Sequence, residues 1–228
     1  MTRDGEAPKL VALVPMRHHS ERVQGKNYKP LAGKPLFAYI LEALRACQEV
    51  ERIVVDTDSP PIRGAVEADF PEVTLLERPE HLRGGDIPMN DVLRHDVSQV
   101  PAHFYVQTHS TNPLLRPETI SDAITQFFAA YPEKDTLFSV TPLQARLWDA
   151  EGRAINHDPD VLLNTQDLPA VYVENSCLYI FKRGVFLERG NRIGERPLLY
   201  EIGAQEALDI DQESDFALAE RLMESAPA

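Results

Sequence analysis

Residues 10–36, LVALVPMRHHSERVQGKNYKPLAGKPL, leave this chain the fewest options. Residues 10–15 are apolar, rich in Val and Leu, and stopped by Pro15, which reads as a short buried strand. Residues 16–30 are too polar and too broken for helix or strand. They carry Arg17, Arg22, Lys26 and Lys29 around Gly25, and Gly33 follows in LAGKP. From Pro35 the pattern turns helical: Leu36, Ile40, Ala43 and Leu44 share a face, and Pro35 suits a first turn. A strand, a basic loop and a helix in that order put cations and free N–H groups at a strand end, where phosphate is cradled. The alternative is a solvated loop that happens to be basic. The stretch contains no G-x-x-x-x-G-K-[ST] and no G-x-G-x-x-G, so it is neither a P-loop nor a dinucleotide fingerprint.

The rest of the chain continues the alternation. Residues 52–58, 73–76, 103–108, 136–141 and 176–181 read as strands. Residues 60–68, opened by Pro60 and Pro61 after Ser59 as N-cap, read as a helix, as do 89–97. Residues 117–131 are the clearest helix, with Ile120, Ala123, Ile124, Phe127 and Phe128 on one stripe. Residues 213–223 close the chain with Phe216, Leu218, Ala219 and Leu222 inward. Strand–helix alternation predicts a mostly parallel α/β sheet, with ligands beyond the C-terminal ends of its strands. The polar residues after each strand are then the ones to examine: 17–27, 56–59 and 107–112. Residues 142–174 are polar, hold Trp148, and break the pattern, which predicts an excursion from the sheet.

Charge narrows the ligand. The 228-residue chain carries a net charge of −13, with a pI of about 5.0, so a nucleic-acid surface is not expected. A basic loop on an acidic protein suits a small polyanion such as a nucleotide. The length suits one domain, burying about 70–75% of the unfolded chain's surface. Cys47 and Cys177 sit among apolar residues, read as free buried thiols, and fit a reducing cytoplasm. Residues 1–8 are polar, and no run approaches the roughly 20 apolar residues of a membrane span, so neither a signal peptide nor a membrane anchor is expected.

The residues themselves resemble a family. PMRHHSERVQGKNYKPLAGKPL is similar to P-A-R-x-x-S-K-x-x-x-G-K-N-x-x-x-L-x-G-K-P-L of the CMP-sialic acid synthetases (acylneuraminate cytidylyltransferases), through Pro15, Arg17, Ser20, Gly25, Lys26, Asn27, Leu31, Gly33, Lys34, Pro35 and Leu36. It departs at Glu21, where the family has Lys, and at His18 and His19. ERPEHLRGGD resembles R-P-x-x-L-x-x-D, with Arg78 as anion partner. QTHSTNPLLRPETI resembles L-x-Q-P-T-S-P-L-R-x-x-E-x-I around Gln107. NTQDLPAVYVENSCLYIF resembles R-x-Q-D-L-P-x-x-Y-x-x-N-G-A-x-Y-I around Gln166, Tyr172 and Asn175. LDIDQESDF resembles the terminal D-I-D-x-x-x-D-F at Asp209 and Asp211. Asn164 for Arg, and Ser176 and Cys177 for Gly-Ala, fall near an acceptor site.

The resemblance implies a Rossmann-like nucleotidyltransferase fold, one domain over 9–228, with 142–174 as a dimerisation arm. It implies transfer of CMP from CTP to the anomeric hydroxyl of a 2-keto sugar acid, releasing pyrophosphate, in a homodimer. Pro15, Arg17, Ser20, Arg22, Lys26, Asn27 and Arg78 would line the nucleotide, and Gln107, Gln166, Tyr172 and Asn175 the acceptor. Asp209 and Asp211 would hold Mg²⁺, which takes hard oxygen ligands. Arg17, Lys26, Asp209 and Asp211 would carry the catalysis. Read from the residues alone, the acid pair is also a helix cap with first-turn acids, DTDS at 56–59 a capped helix start, and Arg78 a surface salt bridge. Two other readings stay open: a cytidylyltransferase for a legionaminate-, pseudaminate- or Kdo-like acid, or a catalytically silent homologue with Glu21 facing the triphosphate.

Overall fold

The structure is a computed structural model and describes residues 9–225. The first half contains β1 (Leu10–Met16), the short β2 (Pro30–Leu31) and β3 (Lys34–Pro35), α1 (Leu36–Ala46), β4 (Val50–Thr57), α2 (Pro60–Asp69), β5 (Thr74–Glu77), α3 (Met89–Gln99) and β6 (Phe104–Thr108). The second half contains α4 (Pro117–Ala130), β7 (Thr136–Leu143), β8 (Val171–Lys182), α5 (Arg183–Arg189), β9 (Pro197–Glu201) and α6 (Glu213–Ser225). The main sheet has the order β5-β4-β1-β6-β8-β7-β9. β8 alone runs antiparallel to both its neighbours, β6 and β7.

Every side chain of β1 is buried, as befits an interior strand covered on both faces. Leu10, Ala12, Val14 and Met16 join Phe37, Ile40, Leu41 and Leu44 of α1 and Ile120, Ile124 and Phe127 of α4 in one core. Val11 and Leu13 alternate onto the opposite face and meet Leu93 and Val97 of α3 and Phe186 of α5. Register brings strand ends level: Pro15 pairs with Asp56, and Leu13 with Gln107. The segments after β1, β4 and β6 therefore emerge at one edge of the sheet.

The expected strands and helices are present, with ends displaced by a few residues. The sheet is mostly parallel with helices on both faces, as the alternation predicts. Several elements go beyond the sequence expectation. β2 and β3 form a hairpin around Ala32 and Gly33, both at positive φ (44° and 86°), the geometry of a tight two-residue turn. β9 pairs only with β7, at the edge of the sheet. Residues 142–174 are less irregular than expected: β7 and β8 run on as a two-stranded ribbon, with Val140 opposite Glu174 and Leu143 opposite Val171. Beyond it lie an isolated bridge between Trp148 and Ala154 and a 3-10 turn at Thr165–Asp167. The outer part of β8 is largely exposed, so it lacks the alternation that marks a half-buried strand.

Ser59 occupies the N-cap position of α2 but makes no side-chain cap; its hydroxyl meets His18 Nδ1 at 2.9 Å. Cys47 and Cys177 are free and buried. No helix among the described residues is long and apolar enough to cross a membrane. The polar segment 1–8 and the last three residues of the range 9–228 lie outside the described residues.

Candidate active site

A cleft of about 330 Å³ opens at the C-terminal edge of the parallel strands. Arg17 and Lys26 from the loop after β1, Arg78 from the end of β5, and Asp209 and Asp211 from the segment before α6 all line it. Three cations thus face two carboxylates around one space.

Local chemistry shapes the loop. Gly25 sits at φ 65° and opens a 3-10 turn over Lys26–Tyr28. A Cβ there would lie 2.7 Å from the Tyr28 ring and would push the ring aside, and the positive φ itself favours glycine. Asn27 is buried; its amide donates to the Arg17 carbonyl at 2.8 Å, and its oxygen accepts from Ser110 Oγ at 2.8 Å. It therefore staples the loop to the segment after β6, and both ends of its amide are engaged within the protein. Asp58 accepts the His18 N–H at 2.7 Å. The DTDS stretch thus anchors the loop, in place of the capped helix start expected of it.

Lys26 joins the two ends of the chain. Its Nζ donates to the carbonyl of Ile210 at 2.7 Å and to Asp211 Oδ1 at 3.2 Å. Ile210 is fully buried with Val23, Leu31, Leu36 and Phe216, and its N–H donates to the Thr111 carbonyl at 2.8 Å. With Ile210 turned inward, its neighbours on either side line the cleft. Burial, though it acts against ionisation, is outweighed at Asp211 by hydrogen bonds and charge from Lys26 and Arg22, and the carboxyl lies below its ordinary value. Arg22 Nη1 reaches Asp211 Oδ2 at 2.6 Å. Asp209 is raised: partial desolvation leads, the Asp211 and Asp215 charges add, and the Thr111 hydroxyl and Lys26 oppose. The helix cap belongs to Asp215, which accepts the N–H groups of Asp211 and Gln212 at 2.9 and 2.8 Å. The capping alternative for Asp211 is thereby replaced.

Arg78 is no surface ion pair. It is 4% exposed, and its Nε contacts the buried Asp56 Oδ1. His109 is packed into the cleft wall, with Nε2 buried and unpartnered among the described residues. Burial first, then the charges of Arg192 and Lys26, lower it to about 3, so the imidazole is neutral. Glu21 shares a corner with Arg17: a Cβ on Gly85 would lie 2.6 Å from Glu21 Oε1 and 2.9 Å from Arg17 Nη1.

Pro15, Arg17, Ser20, Lys26, Asn27, Arg78, Asp209 and Asp211 come together at the cleft. Arg22 stands behind Asp211. The expected acceptor residues do not join them. Gln107 is fully buried, donating to the Thr108 carbonyl at 2.9 Å and accepting from Arg192. Asn175 accepts from Ser139 Oγ at 2.6 Å and donates to Thr141 Oγ1 at 3.0 Å. Tyr172 donates to Glu201 at 3.0 Å, and Gln166 is exposed in the 3-10 turn. The reason is β8, whose antiparallel course carries 171–175 past the sheet edge onto the ribbon. His109 and Thr111, within the 107–112 segment marked for examination, also line the cleft, as does the Gly84–Gly85 turn, which was not marked as a site. The cysteines lie outside the cleft, and burial pushes Cys177 up to about 12, so the site offers no thiolate nucleophile. It is built to position and neutralise a polyanion.

The comparisons with known proteins agree. A family profile described as Cytidylyltransferase matches residues 11–226. A CMP-N,N'-diacetyllegionaminic acid synthase of Legionella pneumophila is 28% identical over 226 residues, covering 95% of this chain and 97% of that protein. An N-acylneuraminate cytidylyltransferase of Escherichia coli is 27% identical over 217 residues, covering 92% of this chain and 51% of that longer protein. In fold, the chain is similar to a CMP:2-keto-3-deoxy-manno-octonic acid synthetase solved with CTP, with a TM-score of 0.71, 17% identity, and coverage of 95% and 98%. The chain belongs to the cytidylyltransferase family.

Proposed function

We propose that this chain transfers CMP from CTP to the anomeric hydroxyl of a 2-keto sugar acid of the N-acylneuraminate or legionaminate type, releasing pyrophosphate. The observation that carries the reading is the cleft in which Arg17, Lys26 and Arg78 face Asp209 and Asp211. Such a transfer requires positioning and charge neutralisation more than a covalent group. Arg17, Lys26 and the loop N–H groups bind the triphosphate, and Arg78 adds a planar guanidinium from the opposite wall.

Asp209 and Asp211 fit a hard divalent cation, since both offer carboxylate oxygens to the same cleft. Mg²⁺ held there would polarise the α-phosphate and help ionise the attacking hydroxyl. Lys26 and Arg22 both pair with Asp211. Bound phosphates would compete for these cations, and the Asp211 carboxylate would then be open to the ion. The same reading makes the protein a cytoplasmic homodimer that uses the β7–β8 ribbon, with no nucleic-acid or membrane partner.

The test is pyrophosphate release from CTP with a panel of 2-keto sugar acids: neuraminate, legionaminate, pseudaminate and Kdo. Release with one of them is expected. Nucleotide binding without release for any acid favours the second reading, a silent homologue, which Glu21 beside Arg17 supports.

A further inference from the structure

A polar group beneath the cleft is not accounted for by this chemistry. α3 packs Leu93 and Val97 against Val11, Leu13 and Val54. Asp96 lies on the same stripe, three residues after Leu93, and is 1% exposed. Asp56 faces it from β4, two residues beyond Val54 and so on the same face of the sheet. One donor atom each from Asp56, His95 and Asp96 lie within 4.8 Å of one another. Asp56 Oδ1 takes Nε of Arg78, while Asp56 Oδ2 and Asp96 Oδ1 are buried with no partner among the described residues. Two buried carboxylates against one guanidinium leave a negative charge uncompensated, which an interior does not tolerate. One proton closes the balance. A neutral Asp96 donates its O–H to Asp56, and Asp56, held at both oxygens, cannot swing.

We propose that Asp96 is a positioning residue for Arg78: as a neutral acid it fixes Asp56, and through Asp56 the guanidinium that lines the cleft. The electrostatics agree. Burial first, then the charge and hydrogen bond of Asp56, push the Asp96 carboxyl up to about 9, with Arg78 opposing. The charged and titratable groups facing it are Asp56 on β4, Arg78 at the end of β5 and His95 on its own helix. The β1 residues under α3, Val11 and Leu13, are apolar. The inference rests on the nucleotide reading above, because it is CTP that Arg78 would meet.

The experiment is calorimetric CTP binding, turnover and melting for wild type, Asp96→Asn and Asp96→Leu from about pH 6 to about pH 10. Asn supplies an N–H and has no charge to gain, so Asp96→Asn should match wild type in CTP affinity and turnover at neutral pH. Wild type should lose CTP affinity as pH passes about 9, and Asp96→Asn should not. Asp96→Leu, which cannot donate, should bind CTP about tenfold more weakly, with kcat at saturation changing less. Stability has its own sign. A carboxyl raised from 3.8 to about 9 in the fold makes wild type less stable as pH rises across that interval. Asp96→Asn should therefore melt higher at neutral pH, with the gap closing in acid. An alkaline loss of affinity equal in wild type and Asp96→Asn overturns the proposal, as does a folded Asp96→Leu that binds CTP normally. A stoichiometric divalent metal carried by wild type and absent from Asp96→Asn also overturns it, because an ion would then close the charge. If Leu prevents folding, the Asn comparison decides alone. A wild type that binds CTP but transfers it to no sugar acid defeats the proposed reaction and leaves the Asp96 result standing.

Discussion

Asp209 and Asp211 differ more in surroundings than in sequence. Asp211 is neutralised by Lys26 and Arg22, whereas Asp209 is raised by partial desolvation and by its neighbours' charges. Asp209→Asn should therefore cost little stability, or raise it, because a strained charge is removed. Turnover should fall by about 10²–10³-fold, the usual cost of one strong electrostatic contribution to a transition state. Turnover against Mg²⁺ concentration, with melting temperature as control, checks this; normal turnover at low Mg²⁺ would remove Asp209 from the metal site. His109 gives a second prediction. Its imidazole is lowered from 6.5 to about 3 in the fold. Below about pH 6.5 the unfolded chain takes a proton that the folded state refuses, so stability falls as pH drops through that interval. His109→Gln should flatten the decline in melting temperature between neutral and acid pH. Identical slopes would show that the imidazole titrates in the folded protein after all.

At the level of elements, the loop between β1 and α1 does most to form the site. Its shape depends on Gly25, where φ is 65° and a Cβ would push against the Tyr28 ring. Gly25→Ala should cost about 1–2 kcal/mol from the left-handed backbone alone. It should also weaken CTP binding, because Lys26 and Asn27 are the next residues of the turn. A melting curve together with a CTP titration separates the two effects; unchanged affinity in a destabilised variant would mean that the loop reforms around the ligand. The loop was legible in the sequence as a basic, glycine-punctuated break after an apolar run. The role of Asn27 was not, because its partners Arg17 and Ser110 are backbone and hydroxyl groups that become neighbours only when β1 and β6 lie side by side.

Across the molecule, the β7–β8 ribbon and the loop beyond it carry the largest exposed apolar groups. Leu162 is 90% exposed, and Ile155, Val161, Trp148 and Val173 are also open. Apolar groups this open are what an interaction surface would cover. The proposed homodimer buries it, within the roughly 1,600 Å² of a standard interface. Leu162→Asp should shift the protein toward monomer in light scattering while leaving its melting cooperative. A wild-type monomer at assay concentration would defeat the dimer.

From residues 10–36 and the later alternation one could read a mostly parallel α/β sheet and a basic loop at its edge, because the periods of strands and helices and the marks of glycine and proline are local properties. The same locality explains what could not be read. Lys26 meets Ile210 and Asp211 across more than 180 residues of chain. Asp96 meets Asp56 from another element, and the antiparallel course of β8 takes Asn175 and Tyr172 away from the cleft. A motif shows which side chains are present. Which of them face a common cavity, and which are held by a neighbour, depends on strand order and register, and these are settled by packing between distant parts of the chain.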